Sequence, residues 1–263
     1  MKFKNMFSPI QIGPMTVKNR FVVPPMGNNF ANSDGTWSDE SVAYYGERAK
    51  GQFGLITIEA TVVHKGAKGG PKKPCLYDDN SIESLKKITD ACHAEGAKVS
   101  IQLQNAGPEG NAKNAGAPIQ AATAIASADG RDIPEEVSTE KVYELVKGYG
   151  EAAERAMKGG ADAVEIHMAH GYLVNSFMSP RTNKRVDEFG GNFENRMRFS
   201  RLIIEEVKKK TEGKIAYIAL PFIQQYTNME YEVYDDPTRV VITTEWGEKK
   251  VASIKRDTQV RYQ

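Results

Sequence analysis

Short apolar runs alternate with helix-like segments over the first 220 residues, and this alternation limits the fold more than any other feature of the chain. Helix-like segments begin at capping residues and end at glycines, as at Ser38 or Asp39 with Gly51, and at Ser138 with Gly159. Strands separated by helices indicate a parallel sheet covered by helices, so we predict an α/β fold of the TIM-barrel type. The runs that we interpret as strands are Phe21–Met26, Leu55–Ala60, Val99–Leu103, Ala163–Ile166 and Ile215–Leu220.

The number of residues left after the fifth strand does not allow a complete barrel of the usual kind. Three more β-α units of roughly 30 residues each would need about 90 residues, whereas 43 follow residue 220. Polar and apolar residues alternate over Glu230–Tyr234, Arg239–Trp246 and Lys250–Arg261, which favours antiparallel strands with a turn at Trp246–Glu248. We therefore predict an incomplete barrel-like domain over residues 1–220 and a β-rich segment of unknown role over residues 221–263.

Composition argues against several classes of protein. Thirty-five basic and 34 acidic residues give a net charge of +1, so no overall field attracts nucleic acid or an anionic membrane. No segment approaches the roughly 18 apolar residues of a membrane span, and the N-terminus lacks the apolar run of a signal peptide. Cys75 and Cys92 are too few for a disulfide framework. We expect a cytoplasmic protein without a nucleic-acid or membrane partner.

Side chains able to carry chemistry follow the fourth apolar run. His167 and His170 lie at or just beyond its C-terminal end, and Tyr172 follows two residues later. In parallel sheets and barrels, active sites are built at this end of the strands. Two imidazole N–H groups can polarise a carbonyl oxygen, and Gln102, at the end of the third run, can both donate and accept hydrogen bonds.

His167 and His170 also allow structural and metal-binding interpretations. Taken singly, His167 could close a strand and His170 could cap the next loop. The His-x-x-His pair could also serve a metal-dependent hydrolase, although no third ligand stands at a suitable spacing. We expect Glu59 to be an exposed charge at a strand end with a structural role.

Several segments together carry a family resemblance: Phe7–Gly13, Lys18–Phe21, Pro24–Met26, Tyr44–Ala49, Gly54–Ala60, Ile101–Leu103, His167–Asn183, Asp187–Gly191 and Glu194–Arg196. Through them, residues 1 to about 215 resemble the Old Yellow Enzyme family of FMN-dependent ene reductases, especially the bacterial branch related to dienoyl-CoA reductases. The C-terminal part of the family's barrel is not recognisable. The resemblance implies an FMN-binding TIM-barrel fold.

The same resemblance implies a function and a set of site residues. Electrons from NADH or NADPH would reduce an activated C=C bond in a small α,β-unsaturated carbonyl substrate such as an enone or enoate. His167 and His170 would polarise the substrate carbonyl, and Tyr172 would protonate the α-carbon. The isoalloxazine ring of FMN would lie on the C-terminal face of the barrel, in contact with Pro24, Pro25, Met26, Ala60, Gln102 and His167.

The chain departs from the family pattern at three places. Asn105–Pro108 stands where the family usually has His-Ala-Gly-Arg, and Ile218–Pro221 lacks the strand-five arginine that faces the flavin. The phosphate-binding loops that follow strands seven and eight have no recognisable equivalent. An alternative function is therefore a truncated or degenerate member with weak or partner-dependent flavin binding and no turnover. We expect the apolar edge beside strand five to be covered by a second copy, a partner or the segment Glu230–Gln263.

Overall fold

A computed structural model describes residues 3–126, 132–220, 239–243 and 249–253 of the chain. The chain divides into two compact units, Met1–Asn228 and Met229–Gln263. The strands are β1 (Ile10–Ile12), β2 (Met15–Val17), β3 (Val22–Val23), β4 (Leu55–Val62), β5 (Lys98–Gln104), β6 (Gln120–Ala121), β7 (Glu135–Glu136), β8 (Ala163–His167), β9 (Ala216–Leu220), β10 (Arg239–Thr243) and β11 (Lys249–Ser253). The α-helices are α1 (Asp39–Lys50), α2 (Ile82–Ala94), α3 (Ala112–Ala115), α4 (Thr139–Lys158), α5 (Leu173–Met178) and α6 (Phe193–Thr211).

The first unit is built on a parallel sheet with the strand order β3-β4-β5-β8-β9, which counts the described strands only. Each pair of neighbouring strands is joined by a crossover that contains a helix: α1, α2, α4 and α6 in turn. This arrangement confirms the predicted α/β fold. Because all five strands run the same way, their C-terminal ends meet along one edge of the sheet.

Helix α4 illustrates how local sequence sets the long crossover segments. Ser138 caps its first turn, because the Ser138 hydroxyl accepts a hydrogen bond of 3.2 Å from the backbone N–H of Lys141. The helix stops at Gly159, where a Cβ atom would lie 2.6 Å from Cδ2 of Leu85. Only a glycine allows α2 and the end of α4 to approach so closely.

The core of this unit lies between the sheet and its helices. Fully buried side chains on the strands include Ile58, Ile101 and Ile166, and Phe177 and Phe199 pack against each other with ring centroids 4.6 Å apart. Burial of one such side chain contributes about 1.5–3 kcal/mol to folding. Within the described residues, no helix is both long and apolar enough to cross a bilayer.

Two sequence expectations in this unit are wrong. The predicted first strand, Phe21–Met26, is paired only at Val22–Val23, because Pro24 and Pro25 have no N–H groups to extend the ladder. Glu59 was expected to be exposed, but it lies on β4 with its side chain fully buried. The shortened first strand leaves Pro24 to Met26 in a loop at the C-terminal edge of the sheet.

The second unit contains a described antiparallel pair of strands. β10 and β11 pair in the register Arg239 with Ser253 through Thr243 with Lys249. β10 lies within the predicted segment Arg239–Trp246, and β11 overlaps the predicted segment Lys250–Arg261 but begins one residue earlier. The third predicted strand, Glu230–Tyr234, and the predicted turn at Trp246–Glu248 lie outside the described residues. The boundary between the predicted domains 1–220 and 221–263 stays a prediction.

Candidate active site

His167 ends β8 as a buried imidazole with a defined proton position. The backbone N–H of Ala169 donates a 3.2 Å hydrogen bond to Nδ1 of His167, so Nδ1 is the unprotonated nitrogen. Burial lowers the pKa of His167 to about 4, and a positive charge on His170 would act in the same direction. Near neutral pH, His167 is therefore uncharged and carries its proton on Nε2. This N–H is a hydrogen-bond donor at the C-terminal edge of the sheet.

A strained turn places His170 beside His167. The backbone φ of His170 is 60°, in the left-handed region, and the following Gly171 has a φ of 77°. A non-glycine residue in this region costs about 1–2 kcal/mol. Asn175 holds the turn, since its Oδ1 accepts from the N–H of Gly171 at 3.1 Å and its Nδ2 donates to the carbonyl of Met168 at 3.3 Å. As a result, Nδ1 of His170 lies 3.4 Å from Nε2 of His167.

Tyr172 completes a cluster of three rings. It occupies the N-cap position of α5, and its ring centroid lies 4.7 Å from that of His167 at an interplanar angle of 89°. The Tyr172 and His170 centroids are 6.3 Å apart. The structure thus brings together all three predicted catalytic residues, two imidazoles and one phenol, at the end of β8.

Gln102, a predicted flavin contact, lies on the neighbouring strand β5 and is 8% exposed. Its Nε2 donates a short hydrogen bond to Oε1 of Glu165, which is directly opposite on β8. Burial raises the pKa of the Glu165 carboxyl. Sequence analysis did not select Glu165, although a period of two along a strand places it on the same face as His167. The two-residue spacing between Glu165 and His167 is the one signal that the sequence offers. The strand register that sets Gln102 opposite Glu165 cannot be deduced from the sequence.

The remaining predicted ring contacts lie at the C-terminal ends of β3 and β4. Met26 is 58% exposed, whereas Pro25 and Ala60 are half-buried. The loop that carries Met26 is fixed to β4, because the backbone N–H of Asn28 donates to Oε2 of Glu59 at 3.3 Å. The edge therefore offers apolar surface next to polar groups.

An ion pair between a buried carboxylate and a partly exposed lysine lies beneath this loop and was also missed. The ammonium of Lys73 lies 3.6 Å from Oε2 of Glu59. It fills the space next to Gly27, where a Cβ atom would come within 2.8 Å of Nζ. Oε1 of Glu59 is buried and has no hydrogen-bond partner in the described part of the chain. Nothing in the sequence signals this pair, because it depends on how residues 73 and 59 meet in three dimensions.

This combination of groups fits a flat heteroaromatic ring better than a metal ion. Met26, Pro25 and Ala60 present apolar surface, while Gln102 and His167 add one amide and one imidazole N–H. Within the described residues, no group of three or more His, Cys, Asp or Glu side chains is arranged to hold a metal ion. The predicted ring contacts and catalytic residues thus share one edge, which has the chemistry to bind the isoalloxazine ring of a flavin.

Comparison with known proteins assigns the chain to a family. Residues 5–255 match the model of the NADH:flavin oxidoreductase / NADH oxidase family. An NADPH dehydrogenase of Bacillus subtilis (strain 168) is 40% identical over 213 residues, which cover 81% of this chain and 62% of that protein. The chain thus spans about three fifths of the length of this curated relative.

Solved structures agree with the sequence relatives. The old yellow enzyme homologue from Zymomonas mobilis superposes with a TM-score of 0.76 and 31% identity, covering 82% of this chain and 63% of that one. A 2-naphthoyl-CoA reductase in complex with 2-naphthoyl-CoA gives a TM-score of 0.79 and 31% identity. This match covers 82% of the present chain and 35% of the reductase. These matches place the fold with the TIM-barrel flavoproteins, and the chain belongs to the NADH:flavin oxidoreductase family that includes the old yellow enzymes.

Proposed function

We propose that this chain binds the isoalloxazine ring of FMN at the C-terminal edge of β3, β4, β5 and β8. There it reduces an activated C=C bond of a small α,β-unsaturated carbonyl compound with electrons from NADH or NADPH. FMN with a nicotinamide reductant is the cofactor pair of this family. The observation that carries the proposal is the contact of His167, His170 and Tyr172 at the same edge as Gln102.

The chain's own residues suit the binding of such a ring. Pro24, Pro25 and Met26 offer apolar surface, and Ala60 is small enough to leave room for a flat ligand. Gln102 and His167 supply hydrogen bonds in a site that is partly closed to water, where such bonds discriminate strongly between ligands. Bound FMN would supply the hydride that these side chains cannot provide.

The two histidines suit activation of the substrate. His167 holds its proton on Nε2 because Ala169 occupies Nδ1, so it enters the reaction as a neutral donor. His170 lies beside that nitrogen, and together the imidazoles can polarise a carbonyl oxygen and make the conjugated carbon more electrophilic. Tyr172, held against His167, is the candidate that delivers a proton to the α-carbon.

Replacement of the histidines tests this assignment. In His167→Ala and His170→Ala variants, we expect C=C reduction to slow by about 10²- to 10³-fold, as for loss of an oxyanion donor. Reduction of the flavin by NADPH should remain within about threefold of the unmodified chain, because it involves no substrate carbonyl. Stopped-flow absorbance of the flavin, with an enone as oxidant, separates the two half-reactions.

His93→Ala is the matched control. His93 contacts Asp162, the residue before β8, with Nε2 2.7 Å from the carboxylate, at the opposite end of that strand from His167. We expect both half-reactions of this variant to keep their rates. Equal slowing of both half-reactions in the His167 and His170 variants would argue against the assignment.

The alternative of a truncated or degenerate member, with weak or partner-dependent flavin binding and no turnover, is tested by the visible absorption spectrum of the purified chain. Flavin absorption bands together with reduction of an enone would support the proposed function. A colourless chain that reduces no enone would favour the alternative. The cytoplasmic location and the formation of homo-oligomers belong to the proposal as predictions.

A further inference from the structure

Glu165 is a buried carboxyl to which the proposed reaction gives no role. It lies on β8 two residues before His167 and is only 4% exposed. Its Oε1 accepts the hydrogen bond from Nε2 of Gln102, and strand register sets the two residues directly opposite each other. In the described part of the chain, the Gln102 side chain makes no other hydrogen bond.

The chemistry of this pair decides which atom of the Gln102 amide faces the open edge. An amide has one acceptor oxygen and two N–H donors. Nε2 of Gln102 donates to Oε1 of Glu165, so the amide nitrogen faces the carboxyl and the amide oxygen is directed away from it. A glutamine in place of Glu165 would offer both a donor and an acceptor and would allow the Gln102 amide to turn over.

We propose that Glu165 is a positioning residue that fixes the amide oxygen of Gln102 to accept a hydrogen bond from the ring N–H of a bound flavin. The inference rests on the proposed function. Oxidised isoalloxazine has a single ring N–H, at N3, between two carbonyl oxygens that only accept. A Gln102 amide with its oxygen outward complements this group, and one with its nitrogen outward would oppose donor to donor.

The burial of both side chains makes the orientation consequential. Gln102 is 8% exposed, so water cannot readily replace a missing partner. A mismatched donor or acceptor in such a place costs about 1–3 kcal/mol, which equals roughly five- to 150-fold in affinity. Glu165 thus acts on the flavin only through Gln102, and replacement of its carboxyl by an amide should change which ligand edge the site prefers.

A comparison of two ligands tests this coupling without relying on turnover. The dissociation constants of the full chain for FMN and for N3-methyl-FMN are measured by flavin fluorescence quenching, for the unmodified chain and for Glu165→Gln. In the unmodified chain, N3-methylation should weaken binding by about tenfold or more, because the Gln102 oxygen loses its donor.

The Glu165→Gln variant keeps the shape of the side chain but frees the Gln102 amide to turn. We expect its dissociation constant for FMN to rise about two- to tenfold, and its N3-methylation penalty to fall below about threefold. Ser100→Ala is the matched control, since Ser100 is a buried residue two positions before Gln102 on the same strand and its hydroxyl has no partner in the described part of the chain. This control should keep the full penalty.

Each outcome decides between the proposals. An equal N3-methylation penalty in the unmodified chain and in Glu165→Gln would overturn the positioning role and leave the proposed function intact. The absence of a penalty in the unmodified chain would overturn the positioning role even if the variant failed to fold. Absence of FMN binding by the unmodified chain would overturn the proposed function and the positioning role together.

Discussion

Single residues at the end of β8 show how backbone strain and burial prepare a chemical group. His170 adopts a left-handed backbone that most residues avoid, and Asn175 holds the turn with two hydrogen bonds. Strain of this kind persists only where its surroundings impose it. Here its result is a second imidazole within 3.4 Å of the neutral His167. The local sequence from His167 to Asn175 thus contains both the candidate catalytic imidazoles and the amide that holds the turn between them.

Removal of the Tyr172 hydroxyl tests its role as the proton donor. In Tyr172→Phe the ring can keep its packing against His167, whose centroid is 4.7 Å away, while the hydroxyl is lost. If Tyr172 is the general acid, turnover of a substrate that needs α-carbon protonation should fall by roughly 10²- to 10⁴-fold. Single-turnover oxidation of pre-reduced flavin by an enone measures this step.

Tyr143→Phe provides the control for that experiment. Tyr143 is a half-exposed phenol on α4 whose hydroxyl donates to Glu188 at 3.0 Å. Its replacement should leave the oxidation rate unchanged. If Tyr172→Phe turned over as fast as the unmodified chain, solvent would be the proton source and Tyr172 would have no part in the mechanism.

Strand β4 carries Glu59, whose burial disfavours the ionised form of its carboxyl. The pKa of Glu59 is raised chiefly by burial, and the nearby Lys73 ammonium only partly opposes this. A carboxyl with a raised folded-state pKa is protonated in both states at low pH. The pKa of this carboxyl in the unfolded chain is about 4.3. As pH rises above that value, Glu59 ionises first in the unfolded chain, so the free energy of unfolding falls until pH passes the pKa of the folded state.

Glu59→Gln should therefore stabilise the chain near pH 7 and have little effect near pH 4. The amide oxygen can still accept from the N–H of Asn28, and Lys73, 24% exposed, can be solvated. We expect the unfolding midpoint at pH 7 to rise by about 2–4 °C, which corresponds to roughly 1 kcal/mol for a chain of this length. Thermal unfolding monitored by circular dichroism between pH 4 and pH 8 gives the measurement.

An exposed glutamate serves as the control for Glu59. Glu47 pairs with Lys50 on the surface of α1 and its side chain is 67% exposed, so Glu47→Gln should change stability by less than about 0.5 kcal/mol. Destabilisation of Glu59→Gln at pH 7 would contradict the prediction, because it would mean that the pairing with Lys73 outweighs the cost of burial.

Sequence reasoning succeeded where the signal is local and failed where it depends on register or packing. Caps and stop residues such as Ser138 and Gly159 gave the helix ends, and the spacing of His167, His170 and Tyr172 gave the cluster. Glu165 was missed because the strand register that sets it opposite Gln102 is not written in either strand alone. Glu59 was placed on the surface because a charged residue at a strand end is usually exposed.

For the molecule as a whole, the described sheet carries the predicted contacts to the flavin ring, whereas the contacts expected for the FMN phosphate are not recognisable in the sequence. Five parallel strands are described, and four of them contribute to the edge that carries Met26, Ala60, Gln102 and His167. The fifth, β9, has the sequence AYIAL and so lacks the arginine that faces the flavin in the family. The sequence after residue 220 contains no recognisable phosphate-binding loop.

We therefore predict weak binding of FMN by this chain, with little contribution from the phosphate. Each charge-assisted hydrogen bond to a phosphate is worth about 1.5–3 kcal/mol. Because about 1.4 kcal/mol corresponds to a tenfold change in the dissociation constant, loss of several such bonds weakens binding by orders of magnitude. FMN and riboflavin should then bind with dissociation constants within about threefold of each other. Fluorescence titration with the two ligands, together with light scattering for the oligomeric state, measures this. Much tighter binding of FMN than of riboflavin by a monomer would contradict the prediction, because residues after 220 would then have to hold the phosphate.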